Sequence, residues 1–248
     1  MLDEDTAACA RIVEQGDPWR FRTVMAAPLE ARAVLFPLYA FNVEVSRAPW
    51  VTQETMIAEM RLQWWRDALE EIAEGKNVRR HEVVTPLAKL LTPQDAKRLD
   101  EGIAARRWDI YRDPFDDTAH FEAYIDQSAG HLMWTGARLL GQTNEAATRA
   151  LAYAAGLSAF LRAVPALEVA GRVPLLDGTH DGLRALAGRG LAAFAKRPKR
   201  AGPAHWPAIG AEAVLQKIQR DPAMVSENRM PADPGAWALI KASVFGHL

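Results

Sequence analysis

Three aspartates, Asp109, Asp113 and Asp117, recur at intervals of four residues. On a helix that spacing stacks carboxylates on one face, where they could share a hard cation such as Mg²⁺. Pro114 follows Asp113 directly, and a residue before proline is pushed out of helical geometry. Asp117 therefore belongs to the loop 113–117, where aspartates turn and cap the chain, leaving Asp109 and Asp113 as a fallback metal pair. The six histidines, His81, His120, His131, His180, His205 and His247, never lie three or four apart, so no two form a ligand pair on one helix face, and each reads as a surface or capping residue. A single cysteine, Cys9, excludes an internal disulfide and a multi-thiolate site. The sequence holds no glycine-rich phosphate loop, no dinucleotide fingerprint and no His-Glu-x-x-His. Thirty basic against thirty-one acidic residues give a formal charge of -1, which predicts no nucleic-acid partner. The local exception is Lys196, Arg197, Lys199 and Arg200 around Pro198, read as a solvated loop, with an anionic phospholipid contact as the alternative.

The elements that must position these groups are helices. Ala, Leu, Glu and Arg dominate and β-branched residues never alternate over a long stretch, so the fold class is all-α. With 49% hydrophobic and 25% charged residues over 248 positions, one domain spanning 1–248 is expected. A helix opens at Pro28, repeats Leu29, Ala33, Phe36 and Ala40 on one face and closes at Ala48 and Pro49; Pro37 inside it predicts a kink or restart. A second runs from Thr55 to a stop at Gly75, with Ile57, Met60, Trp64 and Ala68 on one face beside Trp65, Leu69 and Ile72. Further helices are expected over 85–91, from a Thr92-Pro93 start through 96–111, and over 121–141, 145–164, 183–196, 208–220 and 236–245. The longest apolar run, 150–161, falls short of the about 20 residues that span a bilayer, so no transmembrane segment is expected. Asp3, Glu4 and Asp5 do not resemble a secretory signal. Together with the lone cysteine this predicts a cytoplasmic protein.

One constellation is more specific. Leu38-Tyr39-Ala40-Phe41 leads into Asn42 to Trp50, followed by Met60-Arg61-Leu62-Gln63-Trp64-Trp65-Arg66 and Gly75. Asp109 then precedes Phe121 and Tyr124, with Ser128-Ala129-Gly130, Gly156 and Gly171-Arg172-Val173-Pro174-Leu175 in order. This arrangement resembles the squalene and phytoene synthase family. The resemblance implies an isoprenoid-synthase-type helical bundle around a central cavity, in which two aspartate-rich motifs hold Mg²⁺ and two prenyl diphosphates that are joined head to head. Carried over residue by residue, the two aspartates of the first motif fall on Ser46 and Trp50, neither of which can chelate Mg²⁺. The polar positions of the second fall on Phe160, Ala163, Ala166 and Leu167, in a stretch about four residues short. Glu44 and Glu168 are isolated carboxylates nearby.

The combination Ala-Phe-Asn-Val-Glu with Met-Arg-Leu-Gln-Trp-Trp-Arg is similar to the non-catalytic branch related to a mitochondrial respiratory complex I assembly factor. The resemblance thus implies a non-catalytic protein without metal or cofactor. Its expected partner is an isoprenoid or lipid tail, or a respiratory-complex subunit, and peripheral contact with the inner membrane comes with that role. Tyr39, Phe41, Trp64, Trp65, Arg66, Phe160 and Arg172 are the expected ligand-binding residues, whereas Arg61 reads as a surface ion-pair partner that would meet diphosphate oxygens only in a catalytic alternative. The alternatives are a prenyl transferase that binds Mg²⁺ through Asp109, Asp113, Glu44 or Glu168, and a scaffold whose cavity Trp50, Phe160 and Leu167 fill.

Overall fold

A computed structural model describes residues 3–246, which form thirteen α-helices and short 3-10 and π turns, with no strand among the described residues. The contacts resolve two compact units. The first takes the chain up to Tyr111 together with Thr135–Thr143, and the second takes Arg112–Trp134 and what is described from Asn144 onward.

In the first unit, the first two helices start at side-chain caps. Asp3 accepts from the Thr6 amide at 2.8 Å to open α1 (Glu4–Gly16). Asp17 accepts from the Arg20 amide at 2.9 Å to open α2 (Pro18–Met25), where Pro18 takes a position that has no helical donor to lose. Helix α3 (Leu29–Arg47) runs through Pro37 without the expected restart, because α1 and α5 (Val84–Leu90) pack along it and hold the helix where one hydrogen bond is missing. A Cβ on Gly16 would stand 2.3 Å from Val43 Cγ1, so only glycine permits that approach of α1 to α3. Helix α4 (Thr55–Glu74) ends where Gly75 turns left-handed at φ 65°. It packs along α6 (Pro93–Ala105), which a reciprocal Thr92–Asp95 capping box opens. Asp95 is buried and bonded by Thr92, Arg98 and Arg138. Burial pushes its carboxyl pKa up, but the Thr92 bonds and Arg138 outweigh that and hold it below the usual range. The expected 96–111 helix stops at Ala105 and tightens into a 3-10 turn, Arg106–Asp109.

In the second unit, Asp117 accepts from the His120 amide at 2.8 Å and opens α7 (Thr118–Ile125), the capping role its loop position predicts. The expected single helix over 121–141 is instead α7, a π turn at Asp126–Gly130 and α8 (His131–Leu139), whose residues from Thr135 onward belong to the first unit. The reason lies in α9 (Glu145–Val169): a Cβ on Gly156 would meet Ala129 Cβ at 2.6 Å, so α9 presses directly on the widened turn. Helix α9 continues five residues beyond the expected end at 164, through Pro165. Its 25 residues are long and apolar enough to cross a membrane by composition alone, which the 150–161 run did not suggest. In the fold α9 is a core helix, packed by α10 (His180–Phe194), α11 (Ala211–Arg220) and α12 (Ala223–Ser226). A 3-10 turn, Pro203–Ala208, also packs on α9 and carries α13 (Ala236–Phe245). His205 in that turn keeps the expected capping role but, like His131, is buried rather than at the surface. It is fully buried, bonded to Thr148 at 3.1 Å, and its Nδ1 accepts from the Gly202 amide at 3.0 Å. Burial lowers its pKa to about 4.

Candidate functional site

The last turns of α3, the middle of α4 and the extended segment after it enclose a cavity of about 310 Å³ in the first unit. Glu44, Arg47 and Ala48 share one face of α3, and Arg61, Trp64 and Trp65 repeat the same i, i+3, i+4 pattern on α4. Val51 and His81 complete the lining.

The aromatic wall is built edge to face. Trp64 and Trp65 meet at 4.9 Å and 87°, His81 lies 5.0 and 5.5 Å from the two rings, and Phe41 buttresses Trp65 at 5.5 Å. Arg79 lies over the Trp64 ring at 4.9 Å, and its guanidinium grips the Glu71 carboxylate at 2.7 to 3.1 Å. That grip and the Arg79 amide hold Glu71 below the usual carboxylate range and fix the Trp64 plane. His81 Nδ1 accepts from the Val83 amide at 3.1 Å, which leaves Nε2 as the ring donor.

The cationic wall has a different character. Among the described residues no ion pair or side-chain hydrogen bond engages Arg47 or Arg61, whereas neighbouring Arg66 is held bidentately by Asp100 at 2.7 and 3.0 Å. Two uncommitted guanidinium groups beside one carboxylate and two indoles suit an anionic group with an apolar body, since guanidinium forks match phosphate and carboxylate oxygens. Val51 of this lining is exposed, as are Trp50, Met56, Ile57 and Met60 close to it in sequence. The donor set does not fit Mg²⁺, which needs several oxygen ligands in octahedral array. Glu44 is a single carboxylate beside two cations, and no group of three or more His, Cys, Asp or Glu gathers among the described residues.

The expected site residues separate. Phe41, Trp64 and Trp65 come together with Arg61 around this cavity. Tyr39 is sealed in the core with Arg20 over its ring at 5.3 Å, and burial raises its hydroxyl pKa. Helix α3 ends at Arg47, so half-buried Ser46 lies on it while Trp50 sits in the following turn, 43% exposed rather than filling a core. Asp109 is buried at the end of its 3-10 turn and paired with Arg106 at 3.1 Å, while Asp113 is exposed in the loop beyond. On α9, Phe160 and Leu167 face inward and Ala163 and Ala166 outward. Phe160 packs on Phe121 at 5.2 Å, Tyr124 at 5.9 Å and Phe115 at 6.1 Å. Half-buried Arg172 follows α9, with its amide bonded to the Leu167 carbonyl. Sequence reasoning missed His81 and Arg79 as site residues: both come from an irregular segment with no periodicity, and the only signal is the Arg79-Arg80-His81 cluster after Gly75. Cys9 is buried with its thiol pushed up to about 12, which makes it inert as a nucleophile at neutral pH.

Comparison with known proteins agrees with this architecture. Among solved structures, the fold is similar to a dehydrosqualene synthase in complex with ligand (TM-score 0.66, 14% identity, covering 97% of this chain and 94% of that one). It is similar as well to squalene synthase HpnC from Alicyclobacillus acidocaldarius (TM-score 0.66, 18% identity, 92% and 95% covered). Among curated proteins, a Drosophila melanogaster protein named NADH dehydrogenase (ubiquinone) complex I, assembly factor 6 homolog is 29% identical over 166 residues, covering 63% of this chain and 50% of that protein. The Homo sapiens protein named NADH dehydrogenase (ubiquinone) complex I, assembly factor 6 is 24% identical over 172 residues, covering 63% and 48%. The chain thus spans about half the length of the curated relatives it matches. A sequence profile of squalene/phytoene synthase matches residues 13–175, more than half of the chain. The chain belongs to the squalene/phytoene synthase family.

Proposed function

We propose that this chain is a non-catalytic member of its family that supports assembly of a respiratory complex, using the cleft of Arg47, Arg61, Trp64 and Trp65 to hold the anionic end of an isoprenoid or lipid. The observation that carries this is the end of α3. The helix stops at Arg47, Ser46 and Trp50 no longer share a helical face, and the lining that follows presents arginines instead of paired carboxylates. A cleft of that charge attracts a diphosphate or phosphate directly, without an intervening cation. The names of the curated relatives support the assembly role and point to a subunit of a respiratory NADH dehydrogenase as the protein partner.

Removal of the gene from its host tests the role. The expected result is a fall in fully assembled NADH dehydrogenase on native gels, restored by the wild-type chain and not by an Arg47→Glu/Arg61→Glu variant. Normal assembly without the chain would overturn the proposed role, and full rescue by the charge-reversed variant would overturn the role of the cleft.

A further inference from the structure

The C-terminal helix of the second unit has an outward face that stays exposed among the described residues. Leu239 and Ala242 turn inward and are buried, and the helix rests on the 3-10 turn Pro203–Ala208. On the other side Trp237 is 76% exposed, Ile240 48% and Val244 67%. These three sit at i, i+3 and i+7, one continuous apolar stripe, with Lys241 beside it.

The far end of this helix is tied to the basic run. The Ala201 amide donates to the Gly246 carbonyl at 2.9 Å, so Lys196, Arg197, Lys199 and Arg200 lie within a few residues of the point where the helix is pinned. Lys196, Lys199 and Arg200 are exposed, and among the described residues none of them, nor Lys241, makes an ion pair. Arg197 stacks on Phe194 at 4.4 Å and donates to the Phe194 carbonyl, which anchors the run on α10. Segments 195–201 and 235–246 carry five cations and no carboxylate.

We infer that α13 and the 196–200 run form a docking surface for an anionic lipid bilayer, with Trp237, Ile240 and Val244 entering the headgroup boundary and the cations meeting lipid phosphates. Charge complementarity selects this occupant. A protein surface would have to supply matching carboxylates in one arrangement, whereas an anionic leaflet neutralises unpaired cations in any lateral position. An apolar helical stripe with an aromatic residue near one end and cations at the other is the pattern of a helix lying in the membrane interface. The inference uses only residues of the second unit and does not rest on the cleft of the first.

Co-sedimentation of the full chain with vesicles of 30 mol % phosphatidylglycerol in phosphatidylcholine, and with phosphatidylcholine alone, tests it. Binding to the anionic vesicles should exceed binding to neutral ones by about tenfold or more and weaken as salt rises. Lys196→Glu/Lys199→Glu/Arg200→Glu should abolish the preference, and Trp237→Ser/Val244→Ser should reduce binding about tenfold. Both sets change only exposed side chains, and unchanged melting temperatures would show that the variants fold. Equal or absent binding to the two vesicle types, or wild-type binding by both variants, would overturn the proposal. So would a dimer in sedimentation velocity that Trp237→Ser/Val244→Ser dissolves, which would assign the stripe to a second copy of the chain.

Discussion

At the scale of single residues, charge that is not neutralised within the fold marks the cleft. Arg66 and Arg79 are consumed by Asp100 and Glu71, whereas Arg47 and Arg61 are not. Arg61→Glu should therefore weaken binding of farnesyl diphosphate by about 10-fold to 100-fold in titration calorimetry, the worth of one charge-assisted hydrogen bond. Its side chain is exposed, so unfolding free energy should move by less than about 0.5 kcal/mol. His205 makes the opposite prediction, on stability alone. Its folded pKa of about 4 lies below the unfolded value of 6.5, so the unfolded chain binds the extra proton and stability falls as pH drops through that window. Between pH 7 and pH 5 the loss from this group should be about 2 kcal/mol. His205→Asn keeps an acceptor for the Gly202 amide, and denaturant titrations of that variant should show this share of the pH dependence gone. A lone histidine in a Pro-rich loop gives no periodic signal, which is why its burial was not legible in the sequence. Trp64 and Trp65 were legible on the patterned side of their helix, whereas Arg61 was not, and Ile57 and Met60 of the expected apolar face are exposed.

At the scale of elements, caps were readable and tertiary pressure was not. Thr92-Pro93, Asp117 and Gly75 announce helix ends through local chemistry, and the structure uses all three. The π turn arises because α9 presses against it at Gly156, a contact 27 residues away in sequence from Ala129. No local pattern encodes that. Likewise α3 and α9 pass through Pro37 and Pro165 because packing outweighs the lost hydrogen bond. The Asp95 network joins element to element: it caps α6 through Thr92 and bonds Arg138 of α8. Asp95→Asn should cost about 3 kcal/mol in chemical denaturation, since it strips charge from a buried, multiply bonded site. Because the folded carboxyl pKa is depressed, the contribution of Asp95 is fully present above the unfolded value near 4 and fades as pH falls below it. The variant should therefore converge on the wild type in acid.

At the scale of the whole molecule, family membership and fold come with a cleft lined by two arginines and one carboxylate. The ordered motifs from Leu38 to Leu175 made the family legible, and the helical architecture followed from it. The cleft was only half legible, since His81 and Arg79 reach it from an irregular segment and α3 ends just where the carried-over motif would continue. On the proposed function, the chain holds a prenyl-type anion without transforming it. Incubation of the purified chain with labelled farnesyl and geranylgeranyl diphosphates and Mg²⁺ or Mn²⁺, followed by product extraction and equilibrium binding, tests this most directly. Saturable binding that Arg47→Glu/Arg61→Glu removes, with no C30 or C40 hydrocarbon formed, is the predicted result. Metal-dependent formation of either hydrocarbon would contradict it.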